Sequence, residues 1–168
     1  IPGSTIFDNF TGTDVYENIY IANTFVKRIF VQDTMINHCN SPFIDHPDIA
    51  LIQLDKDRNI NCAGTIGGTL SDQIRNFAVG KTGSSYLLTE HTASSTTPCS
   101  IDFFQQDTLY TDKGLYALSC LDVNGTLKWK HILYGMISGL RLTIGDDDKI
   151  YLVGRSKTDV IINQDTIV

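Results

Sequence analysis

The chain has 168 residues, and its 13 Lys and Arg against 19 Asp and Glu give a formal net charge of −6. This length is enough for one sizeable core or two small domains. The negative charge argues against nucleic acid or an anionic membrane surface as a partner, because both attract basic patches. No apolar run approaches the roughly 20 residues that span a bilayer, so we expect a soluble chain with no membrane insertion.

The composition predicts an all-β fold. The acidic residues are 17 Asp and 2 Glu, and there are 20 Ile against 6 Ala. Asp favours turns and Ile favours strands, whereas the good helix formers Ala and Glu are scarce. We therefore expect short strands joined by polar turns.

Short β-branched or aromatic runs, each bounded by turn residues, mark the clearest strands. In chain order they are Ile49 to Leu54, Tyr86 to Leu88, Lys149 to Val153 and Val160 to Ile162. Asn124-Gly125 lies between two apolar runs. It predicts a type I′ hairpin turn, because both residue types tolerate positive φ.

The tripeptide Gln-Asp-Thr occurs three times. The copies are Gln32 to Thr34, Gln106 to Thr108 and Gln164 to Thr166, and each follows a strand-like segment. With Tyr20, Leu87 and Tyr151 as register marks in those segments, the steps are 67 and 64 residues. A recurring unit buries its apolar face mainly against its neighbours, so we predict a repeat scaffold. The tripeptide itself is interpreted as fixing a turn or a strand start, since Asp and Thr side chains bond nearby backbone groups.

Other markers recur in the same order. Ala50 to Asp55 corresponds to Ala117 to Asp122, and a turn follows each Leu-Asp pair. We therefore treat residues 1–168 as a single β-repeat region. It is divided into a partial unit at 1–47 and units at about 48–114 and 115–168, the last of them incomplete.

This order of motifs resembles the SBBP family of bacterial-type β-propeller repeats. The first copy reads Asp48 to Asp55, Gly67-Gly68 to Asp72, Phe77 to Gly80 and Tyr86 to Thr89. The second keeps Leu121-Asp122, Asn124-Gly125 and Trp129, but has one glycine, Gly135, in place of two. Leu115 to Leu118 with Trp129 also resembles, less closely, the blade repeat of quinoprotein-like propellers, whose period is shorter.

The resemblance implies β-propeller-type repeats of four-stranded antiparallel units, about 65 residues each, and no shared catalytic residues. Propellers close with about four to eight blades, and the chain holds about two and a half units, so we expect an incomplete ring. Such a stack leaves open sheet edges. The chain also begins at Ile1 and not at Met. We therefore expect a fragment or subunit of a larger assembly, with protein partners or self-association covering its ends.

Acidic turns are the candidates for cation binding. Asp55 to Asn59 has oxygen donors at alternate positions, but Ile60 and Ile66 stand where a helix-flanked calcium loop needs Gly and Glu. In Asp146 to Asp148 the neighbouring carboxylates point apart. We interpret both as polar turns and predict neither a metal nor a cofactor.

The four cysteines, Cys39, Cys62, Cys99 and Cys120, are isolated, with no Cys-x-x-Cys spacing, which disfavours zinc. Their even number permits two disulfides in three pairings. Cys62 and Cys120 fall in strand-like runs and could equally be small buried apolar side chains.

Two sequence features bear on glycans. Asn9 and Asn124 begin Asn-x-Thr sequences, which makes them candidate glycosylation sites if the chain is secreted. Trp129 between Lys128 and Lys130 could form a sugar platform, but its repeat position matches Cys62, an apolar strand site. Core packing is the interpretation that we favour for Trp129.

We predict a non-catalytic structural scaffold or binding module, extracellular, at a cell surface or in a virion. Residues 37–47 and 93–100, where the copies differ most in length, are the expected contact loops. The alternative is a fragment of a propeller enzyme, quinoprotein- or glycosidase-like, whose active site lies partly outside this chain. A third possibility is a β-sandwich in which the repeat is only hairpin duplication, and it predicts a compact monomer.

Overall fold

The computed structural model describes residues 5–37, 46–92, 99–135, 137–158, 160–162 and 165–167. These residues form sixteen strands and no helix. The first eight strands are β1 (Thr5–Thr13), β2 (Ile19–Val26), β3 (Arg28–Val31), β4 (Thr34–Asn37), β5 (Asp48–Leu54), β6 (Ile60–Gly68), β7 (Asp72–Val79) and β8 (Ser85–His91). The second eight are β9 (Cys99–Phe103), β10 (Asp107–Thr111), β11 (Leu115–Leu121), β12 (Leu127–Tyr134), β13 (Ile137–Ile144), β14 (Ile150–Ser156), β15 (Val160–Ile162) and β16 (Asp165–Ile167).

The all-β prediction is confirmed, and every strand pair is antiparallel. The first sheet has the order β1-β2-β5-β6-β9-β10, and the second has the order β7-β8-β11-β12-β15-β16. Strands β13 and β14 form a third sheet, and β3 and β4 form a hairpin of their own. None of these sheets closes on itself. Within the described ranges, no helix has the length and apolarity that a membrane crossing requires.

Long and short hairpins follow one another in a regular order. The long hairpin β1–β2 precedes the short hairpin β3–β4 and the long hairpin β5–β6, and the same order holds from β7 to β12. The short hairpin β9–β10 joins the first sheet through β6, and β15–β16 joins the second sheet through β12. Four-stranded units were predicted, whereas the first and second sheets each contain six strands, a short hairpin being part of each.

The sheets pack face to face, and the main core lies between the first and the second. Tyr20 and Ala22 of the first sheet pack there against Leu87, Ala117 and Leu121 of the second. Fully burying one large apolar side chain contributes about 1.5–3 kcal/mol to folding. This interface is therefore the main source of stability.

Both outward faces of this pair are also covered. Leu88 and Leu118 of the second sheet pack against Leu140 of the third. The β3–β4 hairpin lays Ile29 and Ile36 on the far face of the first sheet. Strand β8 is thus buried on both faces, which explains why Tyr86 to Leu88 is a continuous apolar run without polar alternation.

The register marks chosen from the sequence are wrong by one residue in the second copy. The first-hairpin turns begin at Asp14, Gly80 and Gly145. Counting from these turns, Tyr20 corresponds to Tyr86 and Tyr151, at steps of 66 and 65 residues. Leu87 points to the opposite face of its sheet, because neighbouring side chains in a strand alternate.

Candidate functional site

The candidate glycosylation sites are both exposed. Asn9 lies on β1, and Asn124 lies in the turn between β11 and β12. The N–H of Asn124 donates to Asp122 Oδ1 at 2.9 Å, so the backbone is held while the side chain faces solvent. Modification at these positions stays a prediction.

The type I′ prediction for Asn124-Gly125 is wrong. Of these two residues only Gly125 has positive φ, at 75°, and its N–H donates to the Asp122 carbonyl oxygen at 2.9 Å. Arg58 holds the same place in the β5–β6 turn, with φ 72° and a 2.9 Å bond to the Asp55 carbonyl oxygen. Both turns start at an Asp and follow a register shift in the strand pair. A type I′ hairpin turn needs no such shift.

The acidic turns use their carboxylates to bond their own backbone. Asp55 Oδ1 accepts from the N–H of Asn59 at 2.8 Å, and Asp122 Oδ1 accepts from the N–H of Thr126 at 2.9 Å. In the run Asp146 to Asp148, Asp147 Oδ1 accepts from the N–H of Lys149 at 3.2 Å. Across the part of the chain that is described, no group of three or more His, Cys, Asp or Glu is placed to hold a metal ion.

Two of the four cysteines can be placed as side chains. Cys62 and Cys120 are free thiols, and burial raises the pKa of each. Cys39 and the side chain of Cys99 lie outside the described residues, so the pairing of these two stays open. The predicted contact loops fall largely outside as well, at residues 38–45 and 93–98.

Trp129 packs between the second and third sheets. Its ring centroid lies 6.1 Å from that of Tyr86 and 4.9 Å from that of His131. It is half-buried in the cluster formed with Leu133 and Leu140. This is the core placement that its repeat position favoured.

The repeated tripeptide lies at the turn of a short hairpin. Gln106 Nε2 donates to the Gly125 carbonyl oxygen at 3.1 Å, and the N–H of Leu127 donates to Gln106 Oε1 at 2.7 Å. Gln32 Nε2 donates to the Arg58 carbonyl oxygen at 2.6 Å. Each of these two glutamines therefore ties its short hairpin to the turn of the long hairpin that follows it. Gln164 lies outside the described residues.

Side chains of the β9–β10 hairpin also contact β12. Lys130 Nζ lies 2.6 Å from Asp107 Oδ2 and 4.5 Å from the centroid of the Phe103 ring. The hairpin is thus paired with β6 in one sheet while it packs on β12 of the next. A short hairpin joins two neighbouring sheets in this way.

A buried polar chain links β7, β8 and β11. The His91 Nδ1–H donates to Asp72 Oδ1 at 2.6 Å, and Thr89 Oγ1 lies 2.7 Å from His91 Nε2. Asp72 Oδ2 accepts from the Gly68 N–H at 2.9 Å, and Thr89 Oγ1 donates to the Ala117 carbonyl oxygen at 3.3 Å. Acid, imidazole and hydroxyl follow the order of a hydrolase triad. The Thr89 hydroxyl is fully buried, however, so the chain acts as a cross-link between strands.

An open groove of about 500 Å³ separates β13 from the ends of β8 and β11. Glu90, Tyr116, Ser138 and Lys157 line it. Burial and the nearby charge of Glu90 raise the pKa of Tyr116. The groove offers charges of both signs and selects no single ligand class.

Exposed apolar side chains mark the two ends of the stack. On the outward face of the third sheet, Tyr151 is 49% and Val153 is 66% exposed. At the opposite end, on the β3–β4 hairpin, Phe30 is 57% exposed and Met35 is also exposed. The sequence analysis aligned Tyr151 with Tyr20 as register marks, but it did not predict that these four side chains are exposed.

Comparison of the chain with protein-family models, with curated proteins and with solved structures found no match in any of the three. The resemblance to SBBP-type repeats therefore stays a prediction, carried by the motifs quoted above.

Proposed function

We propose that the chain is a non-catalytic scaffold or binding module built from propeller-type stacked units, and that it works inside a larger assembly. The observation that carries the proposal is the tyrosine series Tyr20, Tyr86 and Tyr151. Tyr20 is 1% exposed against the second sheet, and Tyr86 packs against the third. Tyr151 holds the same position and is 49% exposed. The third sheet thus carries a contact face of the same design with nothing packed on it in the described chain.

The position two residues further along supports the same conclusion. Ala22 packs in the first interface and Leu88 packs in the second. Their counterpart Val153 is 66% exposed. Apolar residues repeated on an exposed face are typical of a protein–protein contact.

The third layer favours a stack over a two-layer sandwich. A sandwich has two sheets, and its outward faces are solvated. Here Leu88 and Leu118, on the outward face of the second sheet, are covered by Leu140 and Leu142 of β13. Further sheets of the same kind would continue the stack. An extracellular, cell-surface or virion setting remains part of the prediction.

Static light scattering over a concentration series tests the proposal. We expect a mass above the 18.7 kDa of one chain that rises with concentration, because the face at Tyr151 meets the opposite end of a second copy. The two ends differ, so the contact is head-to-tail. Tyr151→Lys should restore the mass of one chain, since burying an unpaired charge is costly.

Tyr16→Lys is the matched control. Tyr16 is the same residue type and more exposed, at 63%, but it lies in the turn between β1 and β2 and not on an outward sheet face. Its substitution should leave the mass of the assembly unchanged. A mass of one chain at every concentration, or an equal loss of association in both variants, would contradict the proposed function.

A further inference from the structure

Two short hairpins pair with a strand of the preceding sheet in one register. In the first sheet, Ile66 of β6 lies opposite Phe103 of β9, and Gly68 lies opposite Ile101. In the second sheet, Leu133 of β12 lies opposite Ile162 of β15. We call β6 and β12, the sheet strands that pair with these hairpins, the docked strands. Each of them places a large apolar residue opposite the last hairpin residue before the turn.

The third short hairpin, β3–β4, has the same construction. Val31, Phe103 and Ile162 are the last strand residues before the turn, and each pairs with the first residue of the returning strand. Strand β4 packs near β6, as the side chains of β9–β10 pack on β12. Within the described ranges, however, β3 pairs only with β4, so its other edge is open.

The open edge of β3 presents backbone groups that correspond to those with which β9 bonds the β6 region. On β9 the Ser100 carbonyl oxygen accepts from the Thr69 N–H at 3.3 Å, and the Phe104 N–H donates to the Thr65 carbonyl oxygen at 2.9 Å. Outward and inward groups alternate along an antiparallel strand. By this correspondence, Arg28 and Phe30 of β3 direct their N–H and C=O groups to the open edge.

The docked strand must have a glycine at one position. A Cβ atom on Gly68 would lie 1.7 Å from the Ser100 carbonyl oxygen, and one on Gly67 would lie 2.2 Å from Asp48 Oδ1. Gly135 follows β12 at the corresponding place. The two docked strands therefore share the pattern of a large apolar residue, one variable residue and a glycine, read as Ile66-Gly67-Gly68 and Leu133-Tyr134-Gly135.

We propose that the open edge of β3 is a docking site for an extended antiparallel strand with this pattern, with its apolar residue opposite Val31 and its glycine opposite Ile29. The occupant is a strand like β6 or β12 from a neighbouring unit. This inference rests on the proposed function in one respect, the equivalence of the short hairpins. Main-chain hydrogen bonds supply the affinity, and the glycine provides selectivity.

An NMR titration with a synthetic peptide tests the site. The probe is residues 60–69 of this chain with Cys62→Ser, added to the ¹⁵N-labelled full chain. The amide signals of Arg28 and Phe30 should shift, while those of Thr108 and Tyr110 on β10 should not. The same peptide with Gly68→Val should cause no shift, because its side chain collides with the β3 backbone.

Two variants at one position separate backbone pairing from side-chain contact. Phe30→Pro removes the outward N–H and should weaken peptide binding by about tenfold or more, the effect of losing one good hydrogen bond. Phe30→Ala keeps that N–H and should bind the peptide nearly as well as the wild type. Circular dichroism and melting of both variants check that the hairpin is retained, since proline is tolerated at sheet edges.

The outcomes separate this inference from the proposed function. No shift at a large peptide excess, shifts outside β3, or equal binding of the Gly68→Val peptide would overturn the docking site even if light scattering shows assemblies. Shifts at Arg28 and Phe30 that depend on Gly68 would support the site even if the chain remains a monomer.

Discussion

The imidazole of His91 cross-links the two strands of the β7–β8 hairpin. It bonds Asp72 of β7 on one side and Thr89 of β8 on the other, and all three side chains are buried. Removing one member of a buried ion-paired or hydrogen-bonded set leaves the others without a partner. Substituting His91 should therefore cost more stability than the loss of its own contacts alone.

We predict that His91→Ala lowers the free energy of unfolding by about 3–5 kcal/mol, because the Asp72 carboxylate stays buried without its partner. Adding Asp72→Ala should restore part of the loss, giving a coupling of about 1–3 kcal/mol in a double-mutant cycle measured by urea unfolding. His131→Ala, at an exposed position of β12 beside Trp129, is the control and should cost less than about 1 kcal/mol. Additive effects of the two substitutions would contradict a coupled pair.

At the scale of elements, the acidic hairpin turns share one cause of stability. The pKa values of Asp55, Asp122 and Asp147 all lie below the ordinary range. The main cause in each case is a side-chain hydrogen bond, from Asn59, Lys128 and Lys149 respectively. The abundance of Asp in this chain thus has a structural role in closing hairpins.

This predicts a pH dependence of stability. A carboxyl group with a lowered pKa in the folded state contributes stability above its unfolded pKa, near 3.9, and loses it as the pH falls through the folded value. The urea midpoint should therefore fall as the pH drops below about 4. The double variant Asp55→Asn, Asp122→Asn should show a smaller fall over the same range, and an unchanged pH dependence would count against the turn carboxylates as its source.

At the scale of the whole molecule, the stack is unevenly covered. Strands β8 and β11 are paired on both sides and buried on both faces, whereas β13 and β14, among the residues that the structure describes, pair only with each other. Local opening is easiest where few apolar contacts and neighbouring strands must be broken. The third sheet is therefore the least protected of the three.

Hydrogen exchange measured by mass spectrometry checks this order. Amides of the β13–β14 hairpin should exchange faster than those of the β7–β8 hairpin, which has the same place in its own unit. The comparison is made at low concentration, where association does not cover Tyr151. Equal protection of the two hairpins would show that the third sheet is more stable than its packing indicates.

The local structure of the chain could be predicted from the sequence. The excess of Asp and Ile over Glu and Ala predicted strands and turns, and Gln-Asp-Thr predicted a recurring turn, which the structure places at short hairpins. The correct tyrosine series was not readable, because a one-residue slip at Leu87 changes no local propensity yet moves the side chain to the other face.

Contacts between strands that are distant in sequence were decided by the tertiary structure. Lys130 of β12 meets Asp107 of the β9–β10 hairpin, and no local register rule predicts that these two side chains come together. The short hairpins could have paired within their own unit, but β9 pairs with β6 because Gly68 admits the β9 backbone and apolar residues face each other. The sequence alone therefore determined the β class and the positions of the clearest strands and turns, since these depend on bonds between near neighbours. Only the tertiary structure decided which edges pair and which faces stay exposed, since those depend on competition among distant strands.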